Sequence, residues 1–251
     1  MDDITSFLIV CPMVFLAGFI DAIGGGGGLI SLPAYIFAGL PMHAAVATNK
    51  LSAATGTLIS TTRLCRHAKI DFKLIIPAVC LAITGATAGS KMSMLVDEKI
   101  LKQMLLIVLP VVAFFVLRKN VFAAEQKKKC SRTKTLLVSW LAAVLIGLYD
   151  GFYGPGTGTF YIIIFVAFAG LSSMEAAVNT KILNVTSNVT SLIVFLWNGE
   201  CYILLGLCAS LFSIAGNYLG AGMVLKNGSK AIRPVILLVL ALLFLKVMTE
   251  L

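Results

Sequence analysis

Two glycine-rich stretches decide how this chain folds: residues 18–30 read GFIDAIGGGGGLI, and residues 147–160 read GLYDGFYGPGTGTF. Each starts with a glycine, places an aspartate three positions later and then becomes rich in glycine. Both stretches interrupt apolar sequence, and each glycine disfavours a helix by about 1 kcal/mol relative to alanine. Unwound backbone at membrane depth persists only where it lines a cavity or is buried in protein. The stretches therefore predict two helix breaks that line a cavity; close packing of helices through small residues is the alternative.

Composition places these breaks in a membrane protein. Of the 251 residues, 59% are hydrophobic and 12% are charged, against about 25% charged in soluble domains. The mean hydropathy is +0.98. A soluble enzyme, a disordered chain and a disulfide scaffold are excluded. We expect an all-α, polytopic transmembrane helical bundle, because a crossing needs about 20 mostly apolar residues.

The apolar blocks between charges predict ten segments in two halves. In the first half they are 5–23, 29–39, 43–62, 74–95 and 100–117. In the second half they are 135–153, 157–171, 173–197, 201–225 and 231–248. The second segment of each half is too short for a full crossing, which indicates a broken or half-spanning helix. The two halves, 1–125 and 126–251, are interpreted as two transmembrane repeats.

Loop charges predict that these repeats are inverted. The loop after the third segment is basic in the first half (63–73), whereas its counterpart at 198–200 has no basic residue. The loop after the fourth segment shows the reverse, mixed at 97–102 and basic at 226–233. Basic loops face the cytoplasm, so equivalent loops lie on opposite sides, as five crossings per half produce. Re-entrant short segments would instead give parallel repeats with four crossings each.

A second motif repeats about thirty residues after each aspartate. Residues 47–51 read ATNKL and residues 178–182 read VNTKI, which places Lys50 and Lys181 deep within apolar segments. A charge at this depth must be paired or hydrated. Two readings stay open: the lysines hold an anion at a central site, or they form structural ion pairs with Asp21 and Asp150. These aspartates have a third possible role as proton-coupling carboxylates, since burial disfavours the charged form.

The site residues predicted from these motifs are glycines that offer backbone N–H groups, together with polar side chains beside the lysines. They are Gly25, Gly26, Gly27, Thr48, Asn49, Lys50, Gly154, Gly156, Asn179, Thr180 and Lys181. Asp21 and Asp150 are assigned to coupling or structural ion pairing. Neither a catalytic arrangement nor a metal-ligand pattern is legible, so we expect no enzyme activity, no metal and no cofactor. Basic clusters too short to form a folded basic face predict contact with anionic lipid and no nucleic-acid partner.

These residues resemble the sulfite exporter TauE/SafE family of membrane transporters. The resemblance rests on the glycine-rich breaks at 18–28 and 147–158 and on the motifs 48–50 (Thr-Asn-Lys) and 179–181 (Asn-Thr-Lys), and it spans the chain. One departure is that the second break contains Pro155 and Thr157 where the first is all glycine. The two breaks need not contribute equally.

The resemblance implies a multi-pass protein of the bacterial inner membrane that transports small sulfur-containing anions, such as sulfite, sulfonates, sulfoacetate or thiosulfate. Inverted repeats with paired broken helices are typical of transporters that work by alternating access. The alternatives are a passive anion channel and a cation- or proton-coupled transporter of another substrate. The expected partners are a small anionic solute and membrane lipid, with a homo-oligomer possible.

Overall fold

The computed structural model describes residues 4–68, 70–101, 103 and 130–227. The helices of the first half are α1 (Ile4–Gly24), α2 (Gly28–Phe37), α3 (Met42–Cys65) and α4 (Phe72–Leu95). Those of the second half are α5 (Arg132–Phe152), α6 (Thr157–Ala167), α7 (Ser173–Trp197) and α8 (Ile203–Asn227). The all-α prediction is confirmed, and no strand occurs in the described part of the chain. The predicted fifth segments, 100–117 and 231–248, lie outside the described residues apart from positions 100, 101 and 103.

Helix length and polarity separate the eight described helices into three kinds. Four of them, α1, α4, α5 and α8, are long and apolar enough to cross a membrane. The short helices α2 and α6 have 10 and 11 residues, about half of a full crossing. The remaining two, α3 and α7, have 24 and 25 residues but carry many polar side chains. They lie where other helices cover those side chains.

Several helix starts are fixed by local side-chain caps. The Asp71 carboxylate accepts a hydrogen bond from the Lys73 N–H at 3.2 Å at the start of α4. A capping box of Ser172 and Glu175 starts α7, with each side chain accepting from the other residue's backbone. Such caps satisfy N–H groups that have no partner within the helix.

The helices of the two halves pack against each other in a reciprocal pattern. Helix α1 packs along α8, while α5 packs along α4, so the first helix of each half contacts the fourth helix of the other. Glycines four residues apart allow both contacts: Gly85 and Gly89 lie against the α5 backbone, and Gly216 and Gly220 lie against the α1 backbone. Small residues of this kind let transmembrane helices approach closely. Helices α3 and α7 pack against each other between these pairs.

The outer surface of the bundle is apolar. Leu8, Leu141 and Leu211 are each more than 60% exposed, which in water would be an unfavourable surface of large aliphatic groups. Trp197, at the end of α7, is also fully outward, the position at which tryptophan anchors a helix at the membrane interface. The exposed face is therefore the lipid-facing face, and the polar groups lie inside.

Candidate functional site

The functional centre begins where the two glycine breaks contact each other. Gly25 (φ +75°) and Gly154 (φ +99°) each lie four residues after the aspartate of their half, in a backbone conformation that favours glycine. A Cβ placed on Gly25 would overlap the backbone of Gly158 in the opposite break. The Thr159 hydroxyl also donates to the Gly24 carbonyl oxygen at 3.0 Å. The breaks therefore form one joint between the halves, with α2 and α6 departing from it.

A polar cavity of about 40 Å³ adjoins this joint. Its glycine wall contains Gly18, Gly25, Gly27, Gly28 and Gly154. Its polar side chains are Asp21, Ser31, Asn49, Lys50, Ser52, Asp150, Thr157, Asn184, Asn188, Ser213 and Asn217. A space of this size holds a few water molecules or part of a small solute. The lining combines three charged groups with amides and hydroxyls, which suits a polar ligand.

Lys50 forms a buried ion pair with the aspartate of the other half. Its Nζ lies 2.9 Å from Asp150 Oδ1 and 3.0 Å from Asn188 Oδ1. The Lys50 and Asp150 side chains are each only 2% exposed. An ammonium has three N–H donors, and among the described residues only these two acceptors are found. The third donor of Lys50 is left for a group in the cavity.

The Asp150 carboxylate is fully hydrogen-bonded. Besides Lys50, it accepts from the Thr157 hydroxyl at 2.8 Å, at the first residue of α6. The Ser187 hydroxyl of α7 donates to its other oxygen. Three donors around one buried carboxylate stabilise its negative charge. Asp150 thus connects the break of the second half to both central helices.

Lys181 makes the reciprocal contact with the first half. Its Nζ lies 2.6 Å from Asp21 Oδ2 and also donates to the Asp21 carbonyl oxygen. The other carboxylate oxygen of Asp21 accepts from the Gly27 N–H at the longer distance of 3.4 Å. Lys181 is 2% exposed, whereas Asp21 is 14% exposed. Each lysine therefore forms an ion pair with the break aspartate of the opposite half, and each pair joins the two halves.

Two amides that line the cavity have no protein partner for their carbonyl oxygens. The Asn217 amide nitrogen donates to the Ser213 carbonyl oxygen at 3.1 Å, which leaves its own Oδ1 unpaired among the described residues. The buried Asn49 Oδ1 is also unpaired within this part of the chain. Buried polar groups are normally paired, so such groups beside a cavity indicate a ligand or water that supplies the missing partner.

The cavity contains only part of the site predicted from the sequence. Seven of the predicted residues line it: Asp21, Gly25, Gly27, Asn49, Lys50, Asp150 and Gly154. The other six lie outside its lining: Gly26, Thr48, Gly156, Asn179, Thr180 and Lys181. Thr48 accepts instead from the Tyr202 N–H at 3.0 Å, and the Asn179 amide donates to the Glu175 carbonyl oxygen at 2.8 Å. The polar motif of the first half thus reaches the cavity, while that of the second half mostly does not.

Four of the polar cavity residues that the predicted site leaves out lie on α7 and α8. Asn184 and Asn188 are four residues apart on α7, and Ser213 and Asn217 are four apart on α8. Residues with this spacing share one helix face. A pair of polar residues on one face of an apolar segment is therefore the sequence signal that indicates these cavity residues. The motifs do not point to the pair on α8, because that segment carries neither a glycine break nor an intramembrane charge.

Membrane-crossing helices, an apolar outer face and a polar cavity with paired charges at the helix breaks define a polytopic membrane transport protein. The chain belongs to the sulfite exporter TauE/SafE family, with residues 10–247 matching the family described as "Sulfite exporter TauE/SafE". It is therefore a multi-pass transporter of the bacterial membrane and not an enzyme.

Relatives from three bacteria are similar over almost their whole length. The "Probable membrane transporter protein ORF9" of Sinorhizobium sp is 34% identical over 246 residues, covering 98% of this chain and 92% of the relative. The "Probable membrane transporter protein YfcA" of Escherichia coli K12 is 31% identical over 258 residues, covering 100% and 95%. A "Probable membrane transporter protein" of Haemophilus influenzae is 34% identical over 224 residues, covering 89% and 87%. No solved structure matches the chain significantly.

Proposed function

We propose that this transporter carries a small sulfur-containing oxyanion, such as sulfite or a sulfonate, and binds it in the cavity between the two breaks. The observation that supports this most is the buried Lys50 ammonium, which lines the cavity with one N–H donor unused among the described residues. Charge-assisted hydrogen bonds to an anion are among the strongest available in a dry site. The family description supports the substrate class, since it names a sulfite exporter.

Backbone and amide donors complete the proposed anion site. Gly27 and Gly28 line the cavity at the N-terminal end of α2, where the helix dipole favours negative charge. The Asn49 side chain reaches the same cavity and makes no hydrogen bond to a described residue. Its amide N–H is thus available to an oxyanion oxygen. The unpaired oxygens of Asn49 and Asn217 suit the hydroxyl of a protonated oxyanion or a water in its shell.

Alternating access is proposed from the way the halves meet. The two breaks contact directly, and the two lysine–aspartate pairs cross from one half to the other. We infer that the halves are inverted repeats, divided near residues 125 and 126, and that they rock about this joint. Inverted repeats with a site at their interface convert such rocking into exposure to one side at a time.

The cavity is tested by two asparagine variants of the purified protein. Asn49→Ala removes an amide that lines the cavity and lacks a protein partner, so the apparent melting temperature should not fall. Affinity for sulfite or a sulfonate should drop about 10- to 100-fold, the value of a hydrogen bond to a charged group. Asn179→Ala is the matched control, because Asn179 is equally buried but outside the cavity lining, and its affinity should stay at the wild-type value.

Isothermal titration and thermal-shift measurements with sulfite, thiosulfate and a short sulfonate provide the readout, since binding to the native state raises its stability. If none of these anions stabilises the wild-type protein, the substrate class is wrong. If Asn179→Ala weakens binding and Asn49→Ala does not, the site lies elsewhere. Counterflow in liposomes then separates the two transport modes: a carrier exchanges labelled for unlabelled anion and saturates, whereas a channel shows neither behaviour.

A further inference from the structure

The two aspartates of the breaks occupy equivalent positions but have different surroundings. The helix that follows each break starts seven residues after the aspartate of that break. Its first residue is Gly28 in the first half and Thr157 in the second. Six residues after the central lysine, the first half has Gly56 and the second half has Ser187. Thr157 and Ser187 are the two hydroxyls that donate to Asp150. At both equivalent positions around Asp21 the residue is glycine, which has no side chain to donate.

This difference leaves Asp21 with fewer donors and more contact with the cavity. Its carboxylate receives the Lys181 ammonium and one long hydrogen bond from the Gly27 N–H. Both aspartates line the cavity, but Asp21 is 14% exposed, whereas Asp150 is 2% exposed and receives three side-chain donors. Each donated hydrogen bond favours the charged carboxylate. Protonation of Asp21 therefore weakens fewer hydrogen bonds than protonation of Asp150 would.

A proton on Asp21 would offset the charge that a bound anion adds to the site. Among the residues that the structure describes, the charged side chains that face Asp21 are Lys181, its partner on α7, and the Lys50–Asp150 pair across the cavity. These four groups sum to zero. A monoanion entering the cavity would add an uncompensated negative charge, which is strongly unfavourable in a protein interior. One proton on Asp21 restores a sum of zero.

We propose that Asp21 is the protonation site that couples this transporter to the proton gradient, with one proton taken up for each monoanion bound. The proton comes from water on the side to which the cavity is open, forms an O–H bond with a carboxylate oxygen of Asp21, and leaves again when the anion is released. Asp150 stays ionised and serves as the permanent partner of Lys50. The inference rests on the anion site proposed above.

Proton uptake on binding is measured by isothermal titration of a sulfonate, a permanent monoanion, into purified protein in two buffers with different ionisation enthalpies. The wild-type protein should take up about one proton per anion. Asp21→Asn carries a neutral side chain of the same shape, so it should bind the sulfonate with about zero protons. Asp71→Asn is the control, because it removes a carboxylate that lies outside the cavity lining, and it should retain an uptake of about one.

A second measurement covers the case in which Asp21→Asn does not fold. An infrared difference spectrum of the wild-type protein with and without sulfonate should show a new carboxylic-acid carbonyl band. That band should move in Asp21→Glu and stay in place in Asp150→Glu. Sulfonate binding without proton uptake, binding that instead requires sodium, or a band that moves only in Asp150→Glu would overturn the proposal. Absence of sulfonate binding at any pH would contradict the anion site itself.

Discussion

Removing the Lys50 ammonium should destabilise the folded protein strongly, and the structure gives the size of the effect. Lys50→Met keeps the apolar stem but leaves Asp150 as a buried charge with 2% exposure and no cation. Breaking a buried pair by removing one partner costs about 3–5 kcal/mol. The hydroxyls of Thr157 and Ser187 remain bonded to Asp150, so we expect the lower end, about 3 kcal/mol, or roughly a 100-fold change in the folding equilibrium.

The assay is unfolding of the purified variants in detergent, compared with a double variant. In Lys50→Met/Asp150→Asn no charge is left unpaired, and the amide oxygen introduced in place of the carboxylate still accepts hydrogen bonds, so most of the stability should return. Anion binding should not return, because the Lys50 ammonium is still missing. Arg132→Met is the control: the Arg132–Asp71 pair is exposed, and an exposed pair contributes little, well below the loss expected for Lys50→Met.

The result that would refute this reasoning is a Lys50→Met protein as stable as the wild type, since it would mean that Asp150 is not a buried charge dependent on Lys50. Recovery of anion binding in the double variant would separately remove Lys50 from the anion site. The double variant is needed because loss of binding in a single lysine variant could result from unfolding alone.

Two further predictions concern the break and the loops. Gly25→Ala places an alanine at a positive φ, which is unfavourable by about 1–2 kcal/mol, and the new Cβ would overlap Gly158. Melting temperature and transport should both fall. Gly26→Ala is the control and should resemble the wild type, because its Cβ meets only ordinary contacts at 3.7 Å. The hydrogen bond from Arg132 holds the pKa of Asp71 below its usual 3.8, so Asp71 stabilises the fold above that pH, and this contribution is lost as the pH falls. The melting-temperature difference between wild type and Asp71→Asn should therefore be present at pH 7 and shrink as the pH falls below 3.8; a difference unchanged by pH would exclude the pairing.

Much of the architecture was predictable because apolar length and glycine content act locally. The eight described helices begin and end within four residues of the predicted segments, including the short helices α2 and α6 after the breaks. Membrane insertion requires about 20 apolar residues for a crossing, and five consecutive glycines interrupt a helix in any surroundings. The inverted orientation of the repeats stays a prediction, supported by loop charges and by the reciprocal packing of α1 with α8 and α4 with α5.

The candidate site was predictable only in part, because a motif gives position along a helix but not the direction a side chain takes after packing. Lys50 and Lys181 occupy matching positions in the sequence, yet Lys50 lines the cavity and Lys181 lies behind Asp21. Asn49 reaches the cavity, whereas Thr180, the residue that precedes Lys181, does not. These outcomes depend on how the helices pack, which the local motif does not specify.

The sequence by itself determined that the chain is a helical membrane protein, where its helices break, and that two lysines and two aspartates must find partners inside it. Those properties follow from the free energy of placing each residue in lipid, which depends on residue type alone. Only the tertiary structure decided that each lysine pairs with the aspartate of the opposite half, and that Asp21 keeps fewer hydrogen-bond donors than Asp150. The physical reason is distance: an ion pair forms with whichever opposite charge packing brings within about 4 Å, and here packing joins residues 100 and 160 positions apart.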